Sequence, residues 1–152
     1  MIEWFEDLSL GMKFRSASVQ ITADEIKQFA ARFDPQPFHL DDEAARQTIF
    51  KGLAASGWHT AAIAMSLVVQ TRPFGRHPLI GLGVDGLRWM LPVRPDDRLH
   101  VEGEIVSLTR PRTKPQGIVL AKWIMYNQNG EAVYTFTPIG SVPCRPDAAT
   151  SS

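Results

Sequence analysis

Residues 56–70 read Ser56-Gly57-Trp58-His59-Thr60-Ala61-Ala62-Ile63-Ala64-Met65-Ser66-Leu67-Val68-Val69-Gln70. The stretch is long enough for a helix and carries no charged side chain. A helix without a polar face has no side to give to water, so this one is expected to be buried all round. Ser56 is its expected N-cap, and Pro73 ends it. The chain beyond Pro73 reads as β. Residues 79–90 form one strand, bulged or bent at Gly81, Gly83 or Gly86. Residues 98–108, 118–126 and 132–142 form three more, and Asn129-Gly130 is a strong hairpin signal between the last two. Pro138 argues for an edge position or a bulge in the last strand.

Upstream, residues 13–21 read as a strand with Phe14, Val19 and Ile21 apolar. Thr22-Ala23-Asp24-Glu25 is a capping box. Ile26, Phe29, Ala30 and Phe33 then recur on one helical face. Pro35 disfavours helical geometry at Asp34, so the helix stops there. Residues 34–39 hold two prolines and are expected to form a stiff, irregular loop. Asp41 or Asp42 caps a second, short helix through Gln47. The antiparallel strands need an apolar cover, and the apolar helix needs a surface that wraps it. The predicted class is α+β, a curved antiparallel sheet around a central apolar helix, the arrangement called a hotdog fold. Such a sheet leaves edges exposed, which predicts a homodimer or higher homo-oligomer.

Composition sets the bounds. With 152 residues the chain is expected to hold one domain, residues 1–144, with a disordered tail over 145–152. Sixteen basic and sixteen acidic residues cancel, so a nucleic-acid partner is not expected. No apolar run approaches the ~20 residues that span a bilayer, so no membrane partner is expected, and residues 1–7 lack the basic region of a secretory signal. The single cysteine, Cys144, can build neither an intramolecular disulfide nor a Cys-based zinc site. The expectation is a soluble, cytoplasmic protein that needs no metal or other cofactor.

Asp34-Pro35-Gln36-Pro37-Phe38-His39 puts a carboxylate and an imidazole five residues apart on a proline-stiffened segment. The two groups are complementary and can hold one water between them. Spacing alone favours a plainer arrangement, a helix-capping Asp beside a surface-loop His. Ser56-Gly57 is the second feature. The first amides of a helix lack internal partners and carry partial positive charge. Glycine lets a ligand approach the backbone, so the Gly57 amide could polarise a thioester carbonyl. An ordinary Ser cap at a tight turn explains the same residues. Phe38 and Trp58 flank this region and either shape a pocket or pack in the core. His59 is expected to find a core partner, His77 and His100 have no carboxylate motif nearby, and Arg110, Arg112 and Lys114 either meet a ligand's phosphate groups or, by default, sit in a solvated loop.

The run from Phe33 to Asp41, then Ala44-Ala45, then Ala55-Ser56-Gly57, resembles the MaoC-like dehydratase family, which includes (R)-specific enoyl-CoA hydratases. Leu87 to Asp97 is similar to the family's strand followed by its Pro-Val-x-Pro-Gly-Asp turn. The resemblance implies a dimer acting on an acyl-CoA thioester, adding water reversibly to a 2-enoyl-CoA to give a 3-hydroxyacyl-CoA. It implies Asp34 and His39 as the catalytic pair, with neither assigned as acid or base, and Gly57 as the amide that binds the thioester oxygen. Ser56, Phe38 and Trp58 join Gly57 as substrate-binding candidates. The chain departs from the family pattern at Phe33 (a glycine in the family), Gln36 (an asparagine) and Ser56 (a histidine). Met65 stands where known hydratases carry a serine that supports the histidine, with Ser66 adjacent.

Two other activities compete. A hotdog thioesterase commonly places an acid on the central helix, and residues 58–70 have no Asp or Glu. A non-catalytic acyl-thioester-binding subunit is the other; Asp34 and His39 speak against it, Met65 for it.

Overall fold

The computed structural model describes residues 1–110 and 112–146. A 3-10 turn at Phe5–Asp7 precedes β1 (Lys13–Arg15), β2 (Val19–Gln20), α1 (Ala23–Phe33), α2 (Pro37–Leu40) and α3 (Asp42–Arg46). Then come α4 (Gly57–Thr71), β3 (Ile80–Trp89), β4 (Arg98–Thr109), β5 (Gln116–Tyr126) and β6 (Ala132–Pro143). The strands form an antiparallel six-stranded sheet ordered β1-β4-β5-β6-β3, with β2 also paired to β4. The α+β architecture, a sheet packed on one long apolar helix, is as expected.

The expected strand over residues 13–21 is split. Ser16 Oγ accepts the Val101 amide at 2.9 Å, taking the place of a ladder carbonyl, so pairing lapses before it resumes at Val19. α1 starts as its capping box dictates: Thr22 Oγ1 accepts from the Glu25 amide and Glu25 accepts from the Thr22 amide, both at 3.2 Å. It ends at Asp34, whose backbone lies at φ −153° and ψ 67°, outside the helical region. The 34–39 segment is less irregular than expected, because residues 37–40 make one helical turn. Pro37 occupies its first position, where a missing N–H costs no hydrogen bond and the fixed φ suits the helix. Asp41 caps α3 by accepting from the amides of Glu43 and Ala44.

α4 lies on the sheet through Ala64, Leu67 and Val68, against Leu99, Val101, Ala121, Trp123, Met125 and Val133. The expectation of burial all round does not hold for the single chain. Trp58, Ala62, Met65, Ser66 and Val69 form an exposed stripe at helical spacing, with Trp58 59% and Val69 51% exposed. The sheet covers one side of the helix, and none of the described residues covers the other. Pro138 sits on β6, which is an interior strand. The irregularity it calls for is in its neighbour: register shifts in β3 flank the Val84–Pro138 pair, and Gly86 takes φ +59° at the second.

At the C-terminus Arg145 is tied down. Its amide donates to Glu6 and its guanidinium to Asp7, both at 2.8 Å. The rest of the expected tail, 147–152, lies outside the described residues. Among the described residues no helix is long and apolar enough to cross a membrane.

Candidate active site

A cavity of about 430 Å3 opens at the N-terminus of α4. Asp34, His39 and Gly57 line it together with the aromatic residues Phe38, Phe50, Trp58 and Trp89. The end of α1, the α2 turn and the start of α4 therefore converge on one place, which neither the capping nor the surface-loop explanation of Asp34 and His39 requires.

His39 is 5% exposed. Its Nδ1 lies 2.6 Å from the Ala54 carbonyl oxygen, and its Nε2 lies 3.3 Å from Asp34 Oδ2. A carbonyl can only accept, so Nδ1 carries a proton. In the neutral ring Nε2 then offers a lone pair toward the cavity. Both ring nitrogens thus face an oxygen acceptor, the Ala54 carbonyl on one side and the Asp34 carboxylate on the other.

Asp34 is held from two directions. Gln36 Nε2 donates to its Oδ1 at 2.6 Å, and the Ser56 hydroxyl faces the same carboxylate. Burial pushes the Asp34 carboxyl up, but hydrogen bonding from Ser56 and then Gln36, with the charge His39 carries when protonated, outweighs it. The carboxyl is held below its ordinary value and stays ionised. Ser56 was expected among the substrate-binding residues. It is fully buried beneath Asp34 and does not line the cavity. It also accepts from the Trp58 amide at 3.2 Å, so the hydroxyl that lowers the Asp34 carboxyl also caps α4.

Gly57 is required by packing rather than by open space for a ligand. A Cβ there would stand 2.6 Å from the indole of Trp89. That indole donates from Nε1 to the Gly57 carbonyl oxygen at 2.8 Å and meets Trp58 edge-on at 5.1 Å. The Gly57 amide itself, at the first position of α4, has no acceptor among the described residues. Phe38 does line the cavity, tilted against His39 at 4.1 Å and stacked on Phe50 at 5.0 Å.

Trp89, Phe50 and Arg94 were not singled out in the sequence. The Arg94 guanidinium donates to the carbonyls of Phe50, Gly52 and Leu53 and so straps the connector that carries Phe50 and Ala54. The available signals were an aromatic residue at a strand end and an arginine inside the Pro-Val-Arg-Pro turn. Other sequence candidates fall elsewhere. Met65 and Ser66 lie on the exposed side of α4, and the Ala54 carbonyl supports His39 instead. His59 stacks flat on Phe29 at 4.6 Å, and its Nδ1 has no hydrogen-bond partner among the described residues. His100 does have a carboxylate, Glu102 at 3.0 Å, two residues along β4. Arg110 pairs with Glu6.

The sequence model of the MaoC like domain matches residues 7–124. The chain is 31% identical to the uncharacterized protein YdeM of Bacillus subtilis over 129 residues, covering 85% of this chain and 91% of that one. Its structure is similar to that of a MaoC-like dehydratase from Rhodospirillum rubrum, with a TM-score of 0.89 and 46% identity over 95% of this chain and 99% of that one. It is also similar to the (R)-hydratase PhaJ1 of Pseudomonas aeruginosa, with a TM-score of 0.72 and 28% identity over 93% of this chain and 86% of that one.

Proposed function

The chain belongs to the MaoC-like domain family, and on that premise we propose that it hydrates a 2-enoyl-CoA to a 3-hydroxyacyl-CoA, reversibly and without a cofactor. The observation that carries this reading is the Asp34–His39 pair, 3.3 Å apart, facing the same cavity as the unpaired Gly57 amide. Hydration of an enoyl thioester needs a group to take a proton from water, a group to return one to carbon, and a donor for the oxygen that gains charge between those steps. Asp34, His39 and the Gly57 amide, which line one cavity, can fill these three roles.

The substrate lies with its thioester oxygen on the Gly57 amide and C3 toward the pair. Water held between Asp34 and His39 gives the pair a proton as its oxygen bonds to C3. The C2–C3 π electrons move toward the thioester, and the charge on its oxygen is met by the Gly57 amide. The pair then returns a proton to C2 on the same face, and the thioester carbonyl re-forms. The pair acts as one titrating unit.

The same reading makes the protein a homodimer. Trp58, Met65 and Val69 on α4 and Ile80, Leu82 and Val84 on the edge strand β3 are each between 41% and 61% exposed. An apolar face joined to a long unpaired strand edge is suited to a second copy.

The test is a panel of 2-enoyl-CoA and 3-hydroxyacyl-CoA substrates, with double-bond absorbance and free thiol followed in parallel. Absorbance change without thiol is the expected result. Thiol release would establish a thioesterase, and tight binding with neither signal a non-catalytic subunit.

A further inference from the structure

At the far end of α4 from Asp34 and His39 there is a second groove, of about 680 Å3, lined by Met65, Val69, Arg72, Arg76, His77 and Leu79. Both arginines are exposed, and among the described residues neither is in an ion pair. Arg76 lies over the Trp4 ring at 5.2 Å. Arg72 caps α4 in the left-handed conformation, at φ 49°, which turns the chain off the helix end. Within its own chain Arg72 is remote from the catalytic cavity: the helix rise puts fifteen residues of α4 at about 22 Å.

We propose that these arginines act on the other copy's cavity, where they bind the phosphate groups of the substrate's carrier arm. The inference rests on the homodimer and thioester reading above. β3 is a sheet edge with Ile80, Leu82 and Val84 exposed, and its start adjoins the exposed stripe of α4: Ile80 shares one cavity with Met65, and Leu79 shares the groove with Met65 and Val69. Two copies that join β3 to β3 antiparallel, with both helices on one side of the continued sheet, are related by a two-fold axis perpendicular to that sheet. That operation turns α4 end for end. The exposed stripe runs from Trp58 to Val69, so its ends exchange: Trp58 of one copy meets the groove of the other at Met65 and Val69. An exposed tryptophan then fills an apolar groove, and each face covers the other. The partner's Arg72 and the partner's Arg76, just past that groove, come to the rim of the cavity beside Trp58. Guanidinium groups bind phosphate by paired, charge-assisted hydrogen bonds. The single-chain cavity has no lysine or arginine among its lining residues. The arginines supply what it lacks.

The experiment reads binding, so it stands apart from turnover. Butyryl-CoA, butyryl-phosphopantetheine and butyrylpantetheine are titrated by calorimetry into wild type and into the Arg72→Gln/Arg76→Gln double variant, with sedimentation confirming that both are dimers. The expected result is a tenfold or greater loss of butyryl-CoA affinity in the variant and no change for butyrylpantetheine. A matching loss for butyryl-phosphopantetheine assigns the contact to the phosphate next to pantetheine, common to coenzyme A and a carrier protein. A loss confined to butyryl-CoA assigns it to the nucleotide phosphates. Unchanged butyryl-CoA affinity overturns the proposal. To test contribution across the dimer, a Leu82→Glu monomer retains both arginines and is expected to lose the preference for butyryl-CoA; a folded monomer that keeps it overturns the proposal. Should that variant not fold, co-expressed mixed dimers of Asp34→Asn and double-variant copies serve instead. Their only competent site sits on the arginine-free copy, and a wild-type KM there is expected, whereas a KM as raised as in the double variant overturns the proposal. Wild type that binds butyryl-CoA in preference to butyrylpantetheine yet hydrates nothing would sink the hydratase reading and leave this one standing.

Discussion

The Trp89 indole sits where a side chain on Gly57 would be, and donates to the Gly57 carbonyl oxygen at 2.8 Å. Strand end and helix start are locked together there, and the lock forms one wall of the cavity that Asp34 and His39 line. Gly57→Ala puts a methyl group 2.6 Å from the ring, so the indole must leave. The expected outcome is a destabilisation of about 1–3 kcal/mol from overpacking and a shift in tryptophan fluorescence, with kcat/KM down at least about tenfold as the amide is displaced. Trp89→Phe removes the hydrogen bond but keeps the ring, and is expected to retain most of the stability. Equal stability of wild type and Gly57→Ala would mean that the indole is not held there.

Asp34→Asn and His39→Ala are each expected to lower hydration by about 10²–10⁴-fold. Asn keeps the shape of Asp34 but cannot take a proton. Because both side chains handle one water, the double variant should be little worse than either single one. Steady-state rates on the best substrate of the panel decide this, with circular dichroism showing that the fold is kept. Multiplicative losses would mean that the two act in separate steps.

Ser56→Ala removes a hydrogen bond that holds the Asp34 carboxyl below its ordinary 3.8. The Asp34 pKa should rise, and the acid limb of the kcat/KM profile should move to higher pH. The α4 cap is lost as well, at about 1 kcal/mol. The linkage has a definite sign: a lowered carboxyl pKa contributes stability that is complete above the unfolded value and disappears as pH falls through the folded one. Ser56→Ala should therefore lose less of its remaining stability on acidification than wild type does. Unmoved acid limbs would assign Ser56 to capping alone.

His59 is buried, and burial, partly offset by Glu25, lowers its pKa from the ordinary 6.5. Above that value the ring is neutral in both folded and unfolded chains. As pH falls below 6.5 the unfolded chain takes up a proton that the fold resists, so stability drops until the lower, folded value is passed. His59→Phe leaves an aromatic ring on Phe29 without the titrating nitrogen. The Tm of wild type should fall more than that of the variant between about pH 7 and pH 5; parallel curves would remove His59 from the account.

Leu82→Glu on the β3 edge and Val69→Glu on the α4 stripe place charge on the face assigned to the second copy. Each is expected to give monomer at micromolar concentration by sedimentation, where wild type is dimeric. Wild type that stays monomeric would refute the homodimer itself.

Much of the local structure was legible in the sequence because its causes are local. Thr22 and Glu25 sit three residues apart and satisfy each other's amides before any tertiary contact forms. Pro35 ends α1 by constraint on Asp34 alone. The candidate site was legible as a list: Asp34, His39 and Gly57 were named from their residue types and from family resemblance. The roles of their neighbours were not. Ser56 was named as a substrate-binding candidate from its place before the helix glycine in the family pattern; only tertiary structure buries it fully and brings its hydroxyl to Asp34.

The sequence by itself determined the order of the main elements, though not the split of the first strand or the α2 turn, together with the apolar character of α4 and the acid–imidazole pair, since each follows from residues within a turn or two of one another. Tertiary structure decided which side of α4 is covered, that Trp89 closes on Gly57 across 32 residues, and that Arg94 straps a connector more than 40 residues away. Hydropathy records that a face avoids water, not what covers it. Which atoms approach is set by sheet register and packing over the whole chain, and those are collective properties that no short stretch of residues encodes.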